Sequence, residues 1–207
     1  MTVTDNRAGA PAGAPAATEG GGTAARVASA AGAALALVPF ALCTFSGDTG
    51  AEITASLLDK ATSLQVGAAV AALAGALILV AAVRLAERVP GTAGRVLAGA
   101  GTAVAELFVA YYASFGTGAI VADLAVTDPG PGVGEGTALL VNLTELTRYA
   151  PGLALTGAAV VARRHLPRGV WVTAAVLAVM TAFPLTSWVA ALLIPIWLGI
   201  SAAAVRR

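Results

Sequence analysis

Three charged side chains lie inside long apolar runs of the sequence, where charged residues are rare. Glu106 belongs to the run at 96–122, and Glu145 and Arg148 lie within "NLTELTRYAPG" (142–152). A single charge at the centre of a bilayer costs about 2.5–3.5 kcal/mol on insertion scales. Charged residues in such positions usually pair with one another or mark a functional site, so these three are the first candidates for chemistry.

Helical spacing places Glu106 and Arg148 at nearly the same depth in the membrane. Glu106 is ten residues beyond Val96, and Arg148 is eleven residues beyond Thr137, at the start of their respective runs. At 1.5 Å per residue, both side chains are about 15–16 Å deep. The two runs are consecutive and antiparallel, so we expect Glu106 and Arg148 to face each other. Glu145 is one helical turn from Arg148 and completes the expected cluster.

Polar side chains near these charges complete a candidate binding site. Pro151 cannot donate a hydrogen bond to the carbonyl of Thr147, and it can kink the helix beside Arg148. Freed carbonyls at broken helices are common in the binding sites of transporters. The alternative is a packed polar clasp that only fixes the register of two helices. The predicted ligand-binding set is Glu106, Tyr111, Tyr112, Asn142, Glu145, Arg148 and Tyr149.

The composition indicates what kind of elements must position these residues. The chain of 207 residues is 58% hydrophobic and 11% charged, and its mean hydropathy is +0.85. Soluble domains carry about 25% charged residues, so the composition predicts an all-α protein that crosses the membrane several times. A single cysteine, Cys43, excludes an internal disulfide. No motif typical of a metal, cofactor or nucleic-acid site occurs, so none of these is predicted.

The hydropathy pattern predicts six transmembrane helices after a disordered tail. Residues 1–24 are rich in Ala, Gly and Pro and cannot repay the entropy of ordering. Residues 25–207 form the transmembrane domain. Its last apolar block is too long for one span, and Pro184 divides it by disfavouring helical geometry at Phe183. The predicted spans are 27–46, 64–83, 96–122, 137–162, 169–185 and 188–205.

The basic residues lie mainly on one side of this arrangement. With a cytoplasmic N-terminus, the internal segments hold ten arginines, and the external segments hold six acids and a single base, Lys60. The positive-inside rule therefore predicts a cell-membrane protein with both termini in the cytoplasm. On the outside, 51–63 has the apolar spacing of a short amphipathic helix. The segment 127–136 is predicted to be a Pro/Gly loop without regular structure.

Several segments resemble those of a widespread group of small, uncharacterised actinobacterial membrane proteins. The resemblance covers about residues 27–207, and its motifs have low specificity. It implies six helices and no assigned activity, so it transfers no catalytic residues to this chain. The segments that carry it are "ITASLLDKATSLQVGAAVAAL" (53–73), "AAVRLAER" (81–88), "HLPRGVWVTAAVLA" (165–178) and "IWLGISAAAVRR" (196–207).

These residues leave three functions open. The first is binding or transport of a small amphiphilic ligand or a proton in mid-membrane. The second is an intramembrane enzyme of cyclase or isomerase type, in which Glu106 or Glu145 is the general acid and Phe108, Tyr111 and Tyr112 stabilise a cation. The third is a structural or accessory membrane protein. The expected partners are membrane lipids and a small hydrophobic or amphiphilic ligand, and the sequence does not determine the oligomeric state.

Overall fold

Helices account for nearly all of the chain that the structure describes. The computed structural model describes residues 19–124 and 130–205, with side chains from residue 22. No strand occurs within these two ranges. The helices are α1 (Glu19–Leu35), α2 (Leu37–Leu42), α3 (Gly50–Asp59), α4 (Ala61–Ala86), α5 (Gly91–Leu124), α6 (Pro131–Thr147), α7 (Tyr149–Val161), α8 (Arg168–Ala182) and α9 (Pro184–Ala204).

Two segments that were predicted to be irregular, the N-terminal tail and the outer loop, are partly helical. Most of the predicted tail and residues 125–129 of the outer loop lie outside the described residues. Residues 19–24, however, form the start of α1, and 131–136 begin α6 instead of continuing a loop. Pro131 occupies the first turn of α6, where proline is tolerated because its missing N–H would have no helical partner.

Four helical stretches are long and apolar enough to cross a membrane. They are Gly22–Leu42, which joins α1 to α2, and the helices α4, α5 and α9. Helix α8 is apolar but has only 15 residues. Helices α6 and α7 are divided at Arg148. The described helices therefore fit the predicted all-α membrane class, while two of the six predicted spans coincide with shorter helices.

Helices α4 and α5 form the centre of the bundle and approach each other through glycine and alanine. A side chain at Gly75 would overlap Val109, and one at Gly101 would overlap Ala82. Small residues let helices pack closely in lipid, where van der Waals contact replaces the hydrophobic effect. Helix α5 also contacts α6 and α7, so it is the common neighbour of the elements that carry the candidate residues.

Helices α8 and α9 form a hairpin whose turn is at the predicted position. Phe183 is extended (φ −101°, ψ 123°), and Pro184 begins α9. The hydroxyl of Thr186 donates to the carbonyl of Met180 at 2.7 Å, which closes the turn. The predicted division of the last apolar block is therefore confirmed. Helix α9 then packs against α1 and α4.

A buried arginine joins three helices at the end of the bundle predicted to be cytoplasmic. Arg84 of α4 is 6% exposed, and its Nε donates to the carbonyl of Ala202 at 2.8 Å. Its two terminal nitrogens donate to the carbonyls of Gly22 at 3.1 Å and Val205 at 3.4 Å. The last carbonyls of a helix lack partners within that helix. Arg84 therefore caps α9 and ties it to α4 and α1.

The predicted amphipathic helix outside the membrane is α3, and it packs against the bundle. Thr49 and Glu52 form a capping box at its N-terminus. The Glu52 carboxylate accepts hydrogen bonds from the backbone N–H groups of Asp48 at 2.8 Å and Thr49 at 3.1 Å, and these bonds lower its pKa. The backbone N–H of Gly134 donates to the hydroxyl of Thr54 at 3.0 Å, which ties α3 to α6.

Candidate functional site

The predicted break beside Arg148 is present. Helix α6 ends at Thr147 and α7 begins at Tyr149, while Arg148 between them keeps helical angles (φ −72°, ψ −22°). The N–H of Arg148 is bonded to the carbonyl of Glu145, three residues back, at 3.2 Å. Pro151 has no N–H, so the carbonyl of Thr147 lacks its usual helical donor. The chain continues in nearly helical form, but the regular hydrogen-bond ladder is interrupted around Arg148.

The guanidinium group of Arg148 lies against an aromatic ring from α5. Its Cζ is 3.8 Å from the centroid of the Tyr111 ring, which is a cation–π contact. Its Nε is buried and has no hydrogen-bond partner. Among the described residues, no carboxylate lies within ion-pair distance of this side chain. The charge of Arg148 is therefore not neutralised by the part of the chain that the structure describes.

A small cavity lies beside Arg148 in the interior of the bundle. Its volume is about 10 Å³, which is room for about one water molecule. Pro195 has no N–H, so the carbonyl of Ala191, a residue that lines this cavity, lacks its usual helical donor. The cavity is too small for an organic ligand. It is lined by Val104, Phe108, Arg148, Gly152, Ala191, Ile194 and Pro195.

Glu145 and Tyr149 form a polar pair beside the arginine. The hydroxyl of Tyr149 donates to Oε1 of Glu145 at 3.2 Å. Both side chains are half-buried, and so are Tyr111 and Arg148. Glu145 and Arg148 are both close enough to Tyr111 to act on its hydroxyl electrostatically. The structure thus brings four of the seven predicted residues together at the side of the bundle, where they remain accessible.

Tyr112 is buried behind this group. It is 2% exposed, and its ring packs edge-on against Phe108 and Tyr111, with centroid distances of 4.9 and 5.0 Å. Tyr112 is also within electrostatic range of Arg148. It therefore supports the ring of Tyr111 from inside the bundle and does not reach the open face of the site.

The expectation that Glu106 faces Arg148 is wrong. Glu106 is exposed and lines a groove between α4 and α5, beside Gly75. Equal depth does not fix the direction in which a side chain points. Val104 and Phe108, which line the Arg148 cavity, are each two residues from Glu106, and this spacing corresponds to about 200° around the helix axis. Glu106 therefore lies on the other side of α5 from Arg148.

Asn142 also lies apart from the group. It is exposed on α6, as are the neighbouring apolar residues Leu139 and Leu143. No hydrogen bond joins its side chain to another residue in the described ranges. Asn142 is one turn from Glu145 along α6, so it adds a polar side chain near the site without contacting Arg148.

Two buried polar contacts were not predicted from the sequence. Arg84 is one of the ten arginines that predict the orientation, and it also caps α9. The Nε1 of Trp197 donates to Oγ1 of Thr173 at 2.9 Å and to the carbonyl of Val170 at 3.3 Å. Arg84 is a lone charge near the end of an apolar helix, and this is the signal that could have found it. Trp197 lies inside α9, and its spacing in the sequence gives no such signal.

Comparison with known proteins identifies no relative of this chain. No family model matches the chain, and no curated protein or solved structure matches it. The interpretation of the site therefore rests on its geometry.

Proposed function

We propose that the protein crosses the cell membrane six times, with both termini in the cytoplasm. Helices α6 and α7 run together from 131 to 161, which is about 45 Å of helix. Helix α8 is about 22 Å long, and the bilayer can thin locally around a span shorter than its hydrocarbon core of about 30 Å. The ten arginines on one side and the single lysine on the other support the orientation. Membership of the actinobacterial group stays a prediction.

Within this arrangement we propose that Arg148 binds the acidic group of a small amphiphile. The observation that carries the proposal is the Arg148 guanidinium, which has a buried, unbonded Nε and no carboxylate partner among the described residues. A charge held in the membrane without a counter-ion is costly. A carboxylate or phosphate matches the planar fork of an arginine and would neutralise it.

The exposure of the site supports entry from the lipid phase. Tyr111, Glu145, Arg148 and Tyr149 are all half-buried, so part of each residue is exposed at the side of the bundle. On the inner side, Phe108 and Ile194 close the site, leaving only a water-sized cavity. An amphiphile could therefore place its acidic head against Arg148 while its apolar chain stays in the bilayer. Glu145 supplies an acceptor beside the arginine for a ligand that also carries a hydroxyl.

Acid catalysis on a carbocation has less support in this geometry. The guanidinium of Arg148 already covers the face of Tyr111, where a substrate cation would have to bind. Glu106, one of the two candidate acids, points into a different groove. The ring of Tyr112 is buried among other aromatic rings. The described contacts thus favour recognition of an anion over stabilisation of a cation.

The test is thermal unfolding of the purified protein in a neutral detergent with ten-carbon probes of different charge. Decanoate and decyl phosphate carry an acidic head, whereas decanol and decyltrimethylammonium do not. We expect at least one acidic probe at saturation to raise the unfolding midpoint by about 5 °C, which is the size expected for a ligand at about 100 times its Kd. The other two probes should have no such effect.

Variants at Arg148 decide whether the effect arises at this site. Arg148→Gln should abolish the stabilisation, and Arg148→Lys should keep part of it because the charge remains while the fork is lost. Arg95→Gln removes an exposed arginine elsewhere and should behave as the unchanged protein does. The proposal is overturned if neither acidic probe stabilises the protein, or if the stabilisation survives in Arg148→Gln.

A further inference from the structure

A long apolar groove runs along the outside of the bundle between α8 and α9. Its volume is about 580 Å³, far larger than the cavity at Arg148. Aliphatic side chains dominate its walls, and several of them, such as Val176, are exposed. Representative lining residues are Val170, Val176, Leu177, Leu193, Ile196 and Trp197.

The floor of the groove is held in a fixed shape by Trp197. This side chain is 7% exposed, and its Nε1 donates to Oγ1 of Thr173 and to the carbonyl of Val170. The indole N–H is therefore satisfied inside the protein, and so are the hydroxyl of Thr173 and the carbonyl that accept from it. An occupant of the groove meets almost only apolar atoms, which suits a hydrocarbon chain and not a polar ligand.

The groove is long enough to hold an acyl chain that enters from its cytoplasmic end. It extends from Pro167 to Met180 along α8, which is about 20 Å of helix. This length exceeds the roughly 15 Å that one leaflet contributes to a hydrocarbon core of about 30 Å, so an acyl chain of one leaflet fits within it. On α9 the groove ends at Ala204, so its two walls meet the predicted cytoplasmic surface together.

The cytoplasmic end of the groove is strongly basic. Arg163, Arg164, His165 and Arg168 are all exposed, and they flank Pro167 and Gly169, which line the groove. The side chains of the three arginines have no hydrogen bond or ion pair with another residue in the described ranges. The sequence contains no acidic residue after Glu145. No side chain caps the N-terminus of α8, which adds further positive potential there.

We propose that this groove binds an anionic phospholipid of the inner leaflet. One acyl chain lies between α8 and α9, and the phosphate lies among Arg163, Arg164 and Arg168 at the start of α8. The apolar length selects a lipid chain, and the uncompensated arginines select an anionic headgroup. This site is separate from Arg148 and does not depend on the function proposed for that residue.

The test is native mass spectrometry of the purified protein with defined phospholipids added to a neutral detergent. We expect phosphatidylglycerol to be retained at least tenfold better than phosphatidylcholine of the same chain length. The triple variant R163Q/R164Q/R168Q should reduce this preference to within about twofold. The variant R88Q/R95Q removes two arginines at the turn from α4 to α5 and in the first turns of α5, and it should keep the preference. Retained preference in the triple variant would overturn the proposal.

A second pair of variants tests the apolar part of the site. Gly169 lines the groove, and both it and the exposed Gly99 of α5 have open space around an added side chain. Gly169→Phe should lower phosphatidylglycerol retention more than fivefold, while Gly99→Phe should leave it unchanged. Equal retention in both would overturn the proposal. So would a stable dimer that Gly169→Phe dissociates without affecting lipid retention, because a second copy would then occupy the groove.

A competition measurement on the unmodified protein tests the same proposal even if the variants do not fold. Inorganic phosphate shares the headgroup charge but has no acyl chain. At 50-fold excess over lipid, it should not displace phosphatidylglycerol, because the groove supplies much of the binding. Complete displacement would show that the arginines bind phosphate alone and would overturn the assignment of the groove.

Discussion

Arg148 holds its charge against the ring of Tyr111 and not against a carboxylate. A cation–π contact of this kind contributes about 0.5–2 kcal/mol, whereas a charge at the membrane centre costs about 2.5–3.5 kcal/mol. The buried Nε without a partner adds about 1–3 kcal/mol more. Arg148 is therefore expected to destabilise the unliganded protein, which is typical of a residue retained for binding.

The first prediction follows from the separation of Glu106 and Arg148. Because they lie on different sides of α5, Arg148→Leu leaves no new unpaired carboxylate. Because the change also removes a costly charge and its buried, unbonded Nε, we expect Arg148→Leu to raise the free energy of unfolding by about 1 kcal/mol or more. The double variant with Glu106→Leu should be additive within about 0.5 kcal/mol. Chemical unfolding of all three variants in detergent measures the coupling. A coupling above about 1 kcal/mol would show that the two residues do interact.

At the scale of elements, proline was a reliable guide because its effect is local. The turn at Pro184 and the break before Pro151 follow from a missing N–H and a fixed φ. The direction in which Glu106 points could not be predicted, because it depends on which neighbours pack around α5. The start of α6 at Pro131 was missed for a similar reason. The contact between Gly134 and Thr54 of α3 helps to order this segment, and sequence spacing does not reveal it.

The second prediction concerns the capping of α9 by Arg84. Hydrogen bonds from a charged donor contribute about 1.5–3 kcal/mol each, and Arg84→Gln removes most of those to Ala202, Gly22 and Val205. We expect the unfolding free energy in detergent to fall by about 3 kcal/mol or more. Arg95→Gln, with one long bond to Thr92, is the control and should change it by less than about 0.5 kcal/mol.

A small effect of Arg84→Gln, equal to that of the control, would mean that the end of α9 is held by apolar packing alone. Arg84→Lys separates the effect of the charge from that of the donor geometry. A lysine keeps the charge, but its single ammonium group cannot donate to all the carbonyls that the planar guanidinium of an arginine reaches. We expect it to recover less than half of the lost stability.

At the scale of the whole molecule, the distribution of charge predicts the orientation in the membrane. The third prediction uses Glu135→Cys and Arg164→Cys, each in a chain whose native Cys43 is replaced by alanine. Both positions are exposed, and they lie at opposite ends of the α6–α7 pair. A membrane-impermeant maleimide added to intact cells should label position 135 and leave position 164 unlabelled until the cells are opened. The reverse pattern would invert the orientation, and labelling of both would contradict a membrane-crossing α6–α7.

The hydrogen bonds of Arg84 also constrain the order in which the helices assemble. Its acceptors in α9 follow it by 118 and 121 residues in the chain. When α4 leaves the ribosome and enters the membrane, those carbonyls have not yet been synthesised. The inner ends of α1 and α4 can therefore be joined to α9 only after all the intervening helices have been inserted. Docking of α9 therefore comes late in assembly, and a chaperone or protease that acts before it would distinguish an unfinished chain by the loose ends of α1 and α4.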